Sequence, residues 1–397
     1  MIIQPKIRGF ICTTAHPVGC EKSVAEQIAT VCAKDTIRGP KRVLIIGAST
    51  GYGLASRIVA TFGCHAKTIG VFFERPADDT RTASTGWYQT AAFEKQAHSA
   101  GYYAKSINGD AFSQNIKEKT AALIKHDLQQ VDLVIYSIAS PRRIDPVTGA
   151  VYHSALKPIG ATYVGKTVDA FRGIVKEVTI EPATDDEIDQ TIRVMGGEDW
   201  TLWIDYLDRE HLLASGVKTV AYSYVGPELT HAIYKNGTIG KAKDHLKVTA
   251  QSLNQRLQTL QGEAVVVVNK ALVTQASAAI PVVPLYIALL FKIMKETGTH
   301  EDCLLQMYRL FHDYLYATHP ASRDQEGYIR IDDLELQASV QQKIATLWPL
   351  ITSENVHTVT DLEGYCDDFY RLFGFNIKDV DYAAEVDFDR TIDSLSG

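Results

Sequence analysis

The chain lacks any C-x-x-C pair. Its six cysteines, Cys12, Cys20, Cys32, Cys64, Cys303 and Cys366, lie scattered. That spacing disfavours a disulfide framework and predicts a reduced, cytoplasmic chain. Cys12, His16 and Cys20 form a loose group, but no second cluster follows at ligand spacing, so no metal site is predicted. Positive charge is not in excess: 40 Lys and Arg stand against 47 Asp and Glu, a net charge of -7. No nucleic-acid partner is expected from that balance. Long hydrophobic runs are also missing. The most apolar stretch, 278–291, carries Pro281 and Pro284 and falls short of the roughly 20 residues a membrane span needs. The opening M-I-I-Q-P-K has no apolar signal core, so secretion is not predicted either. Internal repeats and low-complexity segments are absent. What remains is a 397-residue chain, 46% hydrophobic and 22% charged, the balance of a globular protein built as one large domain or two ordinary ones.

Strand and helix patterns alternate through the first two-thirds. Residues 7–13 read as a short strand. R-V-L-I-I (42–46) is apolar throughout, as central parallel strands are. A helix over 54–62 follows, then a strand over 66–73, a helix over 91–100, a strand over 102–107, a helix over 115–128 and V-D-L-V-I-Y-S (131–137) as the fourth strand. Region 141–196, rich in Pro and Gly, breaks the rhythm and predicts an insertion with short hairpins. Helix resumes over 200–213 and strand over 217–225. Apolar residues at 242, 246, 250, 253, 257 and 260 predict a helix over 241–260, and 265–268 begins another strand. The pattern predicts an α/β fold: a doubly wound, Rossmann-type parallel sheet with an insertion and a C-terminal cap in one large domain. The expected divisions are an N-terminal extension (1–40), a catalytic core (41–320) that holds the insertion (141–200), and a cap (321–397).

Gly47-Ala48-Ser49-Thr50-Gly51-Tyr52-Gly53 follows the first core strand directly and opens a helix. Bare backbone there turns tightly and approaches a pyrophosphate, and the helix N-terminus offers free N–H groups. Glycine triads alone are weak signals. A strand before, a helix after and an acid at the next strand end make this one strong. The acid is Glu74, closing V-F-F-E. Its carboxylate accepts hydrogen bonds from a ribose diol and repels a 2′-phosphate, which predicts NADH over NADPH. Asp110-Ala111 follows the third strand and is placed beside the adenine, with a helix N-cap as the alternative role for Asp110. Ser137-Ile138-Ala139-Ser140 ends the fourth strand with side chains small enough for a nicotinamide ribose to come close.

Tyr234 and Lys243 stand downstream in Y-K-N-G-T-I-G-K-A-K. Nine positions at about 100° each place the two on opposite faces of any continuous helix. They meet over one cofactor only if Tyr234 stands on a loop and Lys243 on the helix behind it, and Asn236-Gly237 supplies the break. A phenol aimed at a carbonyl oxygen polarises that carbonyl and stabilises negative charge that develops there. A nearby ammonium is expected to lower the phenol's pKa. Tyr224 stands at the end of the fifth strand, where ligands of such sheets bind. His211, His231 and His245 read as structural.

With these motifs, Tyr-x8-Lys, S-P-R-R, M-G-G-E-D-W (195–200), V-T-Q-A-S (273–277) and I-P-x-x-P-L-Y (280–286), the chain resembles the FabV-type trans-2-enoyl-acyl-carrier-protein and trans-2-enoyl-CoA reductases of the short-chain dehydrogenase/reductase superfamily. The resemblance runs from the first residues to F-G-F at 373–375. It implies NADH-dependent reduction of the C2=C3 bond of an enoyl thioester, the last step of fatty-acid elongation, by a monomer. It implies Tyr234 as catalytic acid, Lys243 as catalytic and cofactor-binding, and Tyr224 as substrate-binding. Gly47, Ala48, Ser49, Thr50, Gly51, Tyr52, Phe73, Glu74, Asp110, Ala111, Ile138 and Ala139 would hold the cofactor, with Leu272, Val273 and Thr274 at its nicotinamide end. Residues 278–294 would form the substrate-binding helix. M-G-G-E-D-W is expected to be structural, with Trp200 anchoring the insertion. One departure stands out: Asp244 occupies a position where many members carry a second lysine. Two other readings compete. Ketoreductases of the superfamily usually place Tyr and Lys one helical turn apart, unlike this chain. A dinucleotide-sensing protein without turnover needs no Tyr/Lys pair.

Overall fold

Strands that are apolar on both faces need cover on both faces, and this fold supplies it. The computed structural model describes residues 1–9, 11–319 and 321–395; Phe10 of the expected 7–13 strand and the last two residues of the 321–397 cap lie outside the described residues. Seven parallel strands form the main sheet: β1 (Arg42–Ile46), β2 (Lys67–Phe72), β3 (Ala104–Asn108), β4 (Val131–Tyr136), β5 (Leu213–Ser223), β6 (Glu263–Val268) and β7 (Ile329–Arg330). Their order is β7-β6-β5-β4-β1-β2-β3. β1 and β4 are therefore neighbours whose following loops run to opposite sides, and the crevice between such loops is where doubly wound sheets bind ligands.

Alternate residues of each strand serve opposite layers. Val43 and Ile45 face a core shared with helices α1 (Pro17–Cys32), α2 (Gly51–Ile58) and α3 (Thr85–Ser99). Leu44 and Ile46 face α4 (Gln114–Leu123), α6 (Glu198–Arg209) and α7 (Thr238–Leu257). On α7 the expected stripe is buried from Ala242 through Leu257. The 142–180 region holds two antiparallel hairpins, Arg142–Ile144 with Val151–His153 and Tyr163–Asp169 with Ile174–Ile180. Helix α5 (Asp185–Met195) follows, opened by a capping box between Thr184 and Glu187.

Several sequence expectations need revision. The 7–13 strand is a two-residue pairing, Ile7–Arg8 with Ile11–Cys12. α3 begins at Thr85, well before 91, because its first turns bury Tyr88 and Gln89 rather than show an apolar stripe. The 278–294 segment is not one helix. A single turn, Gln275–Ala278, ends before Pro281, Val282 takes φ +73°, and α8 (Val283–Glu296) starts afresh. Trp200 anchors the sheet face, not the insertion: it is fully buried and its Nε1 donates to Thr219 Oγ1 of β5 at 2.8 Å. The C-terminal segment does more than cap, since β7 extends the sheet beside β6. Its helix α9 (Leu362–Leu372) covers α8, and the Asp361 N–H donates to Ala288 O at 2.9 Å.

Candidate active site

The crevice at the carboxyl ends of β1 and β4 is shaped first by missing side chains. Gly47 leaves β1 with φ +90°, and a Cβ there would lie 2.1 Å from Ser137 O at the end of β4. A Cβ on Gly53 would lie 1.8 Å from Gly47 O. Both contacts are with backbone, so neither yields to a rotamer change. Ala48 and Ser49 are buried beneath the turn. Thr50 precedes α2 without any side-chain cap, so the first-turn N–H groups and the positive dipole end remain available to an anion. Tyr52 is turned inward: its hydroxyl donates to Lys270 O at 2.8 Å.

Glu74 stands beside this loop after β2. Its Oε1 accepts from Ser49 Oγ at 2.7 Å, and its backbone N–H and C=O both pair with the Asn108 side chain at 2.9 Å. A Cβ on Gly86 would strike Oε1 at 2.1 Å, so that glycine keeps room for the carboxylate. Phe73, 76% exposed, offers a free aromatic face at the same edge. Asp110 is not the cap of α4. Its Oδ1 accepts from the Phe112 N–H at 2.9 Å and closes a turn, while Ser113 caps the helix by accepting from Ile116 N–H.

Beneath Ala111 lies a buried network that local motifs do not announce. Lys117 Nζ donates to Ala111 O (2.9 Å), Phe112 O (3.0 Å) and Asp199 Oδ1 (2.7 Å). Tyr136 donates to Asp199 Oδ2 at 3.0 Å. M-G-G-E-D-W therefore supports the Asp110-Ala111 turn from below through Asp199. Ile138 is half-buried and Ala139 exposed on the facing loop. Across the crevice, Leu272 and Val273 are buried. Thr274 caps the single turn after it by accepting from Ser277 N–H at 3.1 Å. Its Cγ2 would stand 3.8 Å from a Cβ on Gly51, which brings this loop over the glycine turn.

Tyr234 and Lys243 occupy the arrangement their spacing demands. Tyr234 sits in a run of turns after β5, its N–H donating to Thr230 O at 2.9 Å. α7 starts only at Thr238, with Gly237 as its cap. The Tyr234 ring is 8% exposed, and among the described residues its hydroxyl has no hydrogen-bond partner. Burial pushes this phenol well above its ordinary pKa. The expected lowering by Lys243 is therefore overturned: desolvation governs, and the group is a neutral donor, not a phenolate. Lys243 is half-buried and pairs with no carboxylate among the described residues, and burial draws its ammonium down to about 8. Asp244 points elsewhere, exposed and 4.0 Å from Lys241.

Tyr224 packs edge-to-face on Tyr234, with ring centroids 5.0 Å apart at 75°. Its hydroxyl donates to Glu335 Oε1 at 3.1 Å, as does Tyr286 of α8 at 2.7 Å, and Glu335 Oε2 accepts from the Ala271 N–H at 2.7 Å. Glu335 is fully buried. In the sequence it is one acid among several in I-D-D-L-E-L, and its flanking leucines are the sole hint that it turns inward. Chemically, the crevice offers an anion cradle with a carboxylate beside it, while the turns and helix after β5 carry a phenol and an ammonium that have no hydrogen-bond partner among the described residues.

Comparison with known proteins identifies the family. Residues 81–316, more than half of the chain, match the trans-2-enoyl-CoA reductase catalytic region, and residues 2–79 match the NAD(P)H binding domain of trans-2-enoyl-CoA reductase. Residues 323–386 match a model described as the enoyl reductase FAD binding domain. A flavin site does not fit there: β7 is two residues long, no glycine loop follows it, and the helices beyond are buried against α8. The chain is 58% identical over 395 residues to the trans-2-enoyl-CoA reductase [NADH] of Ruminiclostridium cellulolyticum, covering 100% of both chains. It is 60% identical over 399 residues to the enoyl-[acyl-carrier-protein] reductase [NADH] of Coxiella burnetii, covering 100% of this chain and 98% of that one. The crystal structure of Clostridium acetobutulicum trans-2-enoyl-CoA reductase in complex with NADH superposes with a TM-score of 0.96 at 42% identity, covering 98% of each chain. By sequence along its whole length and by fold, the chain belongs to the trans-2-enoyl-CoA and enoyl-acyl-carrier-protein reductase family.

Proposed function

We propose that this protein reduces the C2=C3 double bond of trans-2-enoyl thioesters, carried on acyl carrier protein or CoA, with NADH. The observation that carries the reading is the buried Tyr234 phenol, raised above its ordinary pKa by desolvation, without a hydrogen-bond partner among the described residues and packed on Tyr224 in the turns that lead into the helix bearing Lys243. NADH, when bound, supplies a hydride to the β-carbon of the substrate. The chain's own residues do the rest. Gly47 through Tyr52 receive the pyrophosphate on bare backbone and an uncapped helix end. Glu74, held by Ser49, takes the adenosine ribose diol and disfavours a 2′-phosphate; Phe73 and Asp110-Ala111 flank the adenine. Ile138-Ala139 and Leu272-Val273-Thr274 enclose the nicotinamide end, and Lys243 holds its ribose.

Tyr234 donates to the thioester oxygen as enolate charge develops there, an interaction worth roughly 3 kcal/mol or more in such sites. Tyr224 borders the thioester. The apolar segment 278–294 receives the acyl chain, and its break at Val282 opens a bend in that wall. We further infer a monomer in the cytoplasm, in keeping with six free thiols. Among the described residues no helix is long and apolar enough to cross a membrane. A ketoreductase reading is not favoured, because Tyr234 and Lys243 do not share one helix. Loss of NADH absorbance on adding crotonyl-CoA tests the proposal. Turnover with the enoyl thioester and none with acetoacetyl-CoA is expected; the reverse preference overturns it.

A further inference from the structure

Among the described residues Glu335 is the one carboxylate that bonds to both Tyr224 and Tyr286, and it comes from a part of the chain far from both. Its Oε1 takes the protons of Tyr224 and Tyr286, and its Oε2 takes the Ala271 N–H at the root of the Leu272–Thr274 loop. Gln341 Nε2 closes the cluster by donating to Glu335 O at 2.7 Å and to the Tyr286 hydroxyl at 3.3 Å. We propose that Glu335 is a positioning residue of the reduction: by taking the Tyr224 proton it locks the Tyr224 ring against Tyr234 and leaves Tyr234 as the phenolic donor facing the substrate. This rests on the reading of Tyr224 and Tyr234 as active-site phenols.

The geometry permits little else. A phenol has one proton, and the Tyr224 proton is spent on Glu335, so Tyr224 meets the substrate through its ring and lone pairs. The T-shaped packing of the Tyr224 and Tyr234 rings is a favoured aromatic contact, and among the described residues the polar anchor of the Tyr224 hydroxyl is Glu335. Lys270, Asp332, Tyr52, Tyr224 and Tyr286 are the titratable groups that face the carboxylate. Burial raises the Glu335 carboxyl above its ordinary pKa, and the Ala271 N–H, the Tyr286 hydroxyl and Lys270 pull it back toward the ionised form.

A double-mutant cycle tests this. Glu335→Gln keeps the shape but removes one acceptor oxygen, so it cannot serve both phenols and the Ala271 N–H. We expect it to lower kcat with crotonyl-CoA about tenfold, the scale of a lost charged hydrogen bond, with the NADH Kd held within about twofold. In a Tyr224→Phe background the same substitution is expected to cost less than about twofold, since its target is already gone. An equal loss in both backgrounds means a merely structural role and overturns the proposal, as does an unchanged kcat in the Glu335→Gln protein. If Tyr224→Phe alone turns over like wild type, the reading of Tyr224 fails first and this proposal with it. Should Glu335→Gln not fold, Glu335→Asp, which draws the carboxylate back by one methylene, enters the same cycle with the same outcomes.

Discussion

The two ends of the crevice are built by different means. At the cradle end, backbone does the shaping: Gly47 and Gly53 matter for the Cβ atoms they lack, and Ser49 and Glu74 fix one another across two adjacent loops. At the tyrosine end, side chains from distant segments do it. Tyr224 and Glu335 are 111 residues apart in sequence yet share a hydrogen bond, and Tyr234 and Lys243 stand on a run of turns and on the helix after it. The glycines of the first end lie within one seven-residue window, 47–53, and Glu74 follows the very next strand. The second exists only once the C-terminal segment has folded over α8.

If that contrast is right, substitutions at the two ends should fail differently. At the cradle end Gly53→Ala should have the larger effect. Its Cβ meets a backbone oxygen, and relieving such overpacking costs about 1–3 kcal/mol. Spent on opening the loop, that is up to about a hundredfold in NADH affinity, measured by quenching of cofactor fluorescence, while the tyrosine end keeps its near-UV circular dichroism. Loss of that signal too would mean the ends are not independent. Lys243→Met should weaken NADH about tenfold, the scale of a lost charged hydrogen bond, and should raise Tm by removing an unpaired half-buried charge.

The same lysine sets a pH dependence. Its folded pKa of about 8 lies below the ordinary 10.5, so between those values the unfolded chain binds the extra proton. Its contribution to stability is therefore least below about pH 8 and improves as pH rises toward 10.5. Cofactor affinity should move the other way, falling as pH climbs through about 8, and Lys243→Met should flatten that profile. The smallest effect is expected from Ser49→Ala. Loss of its bond to Glu74 should cost about 1 kcal/mol, roughly fivefold in NADH affinity, and narrow the margin over NADPH. An unchanged margin would show that Glu74 holds its place without Ser49.

This division also explains what could be read before folding. β1 is legible because burial on both faces leaves Val43 through Ile46 no polar position, and the cradle because its geometry follows from glycines a few residues apart. The loop-and-helix placement of Tyr234 and Lys243 follows from their spacing alone. The Tyr234 pKa does not, since proximity to an ammonium suggests a lowering that burial reverses. The split at Val282 is hidden because an apolar run looks the same on either side of a break, though Pro281 and Pro284 hint at it. β7 is too short to carry a pattern, and Glu335 shares no local motif with the tyrosines it meets.

The central claim is that Tyr234 supplies the proton-bearing contact while the cradle holds the cofactor without it. Single-turnover oxidation of NADH by crotonyl-CoA on the Tyr234→Phe protein, alongside its NADH Kd, measures both halves at once. The rate should fall at least about a hundredfold below wild type, the loss typical of an oxyanion donor, with the Kd unchanged. A rate close to wild type would contradict it.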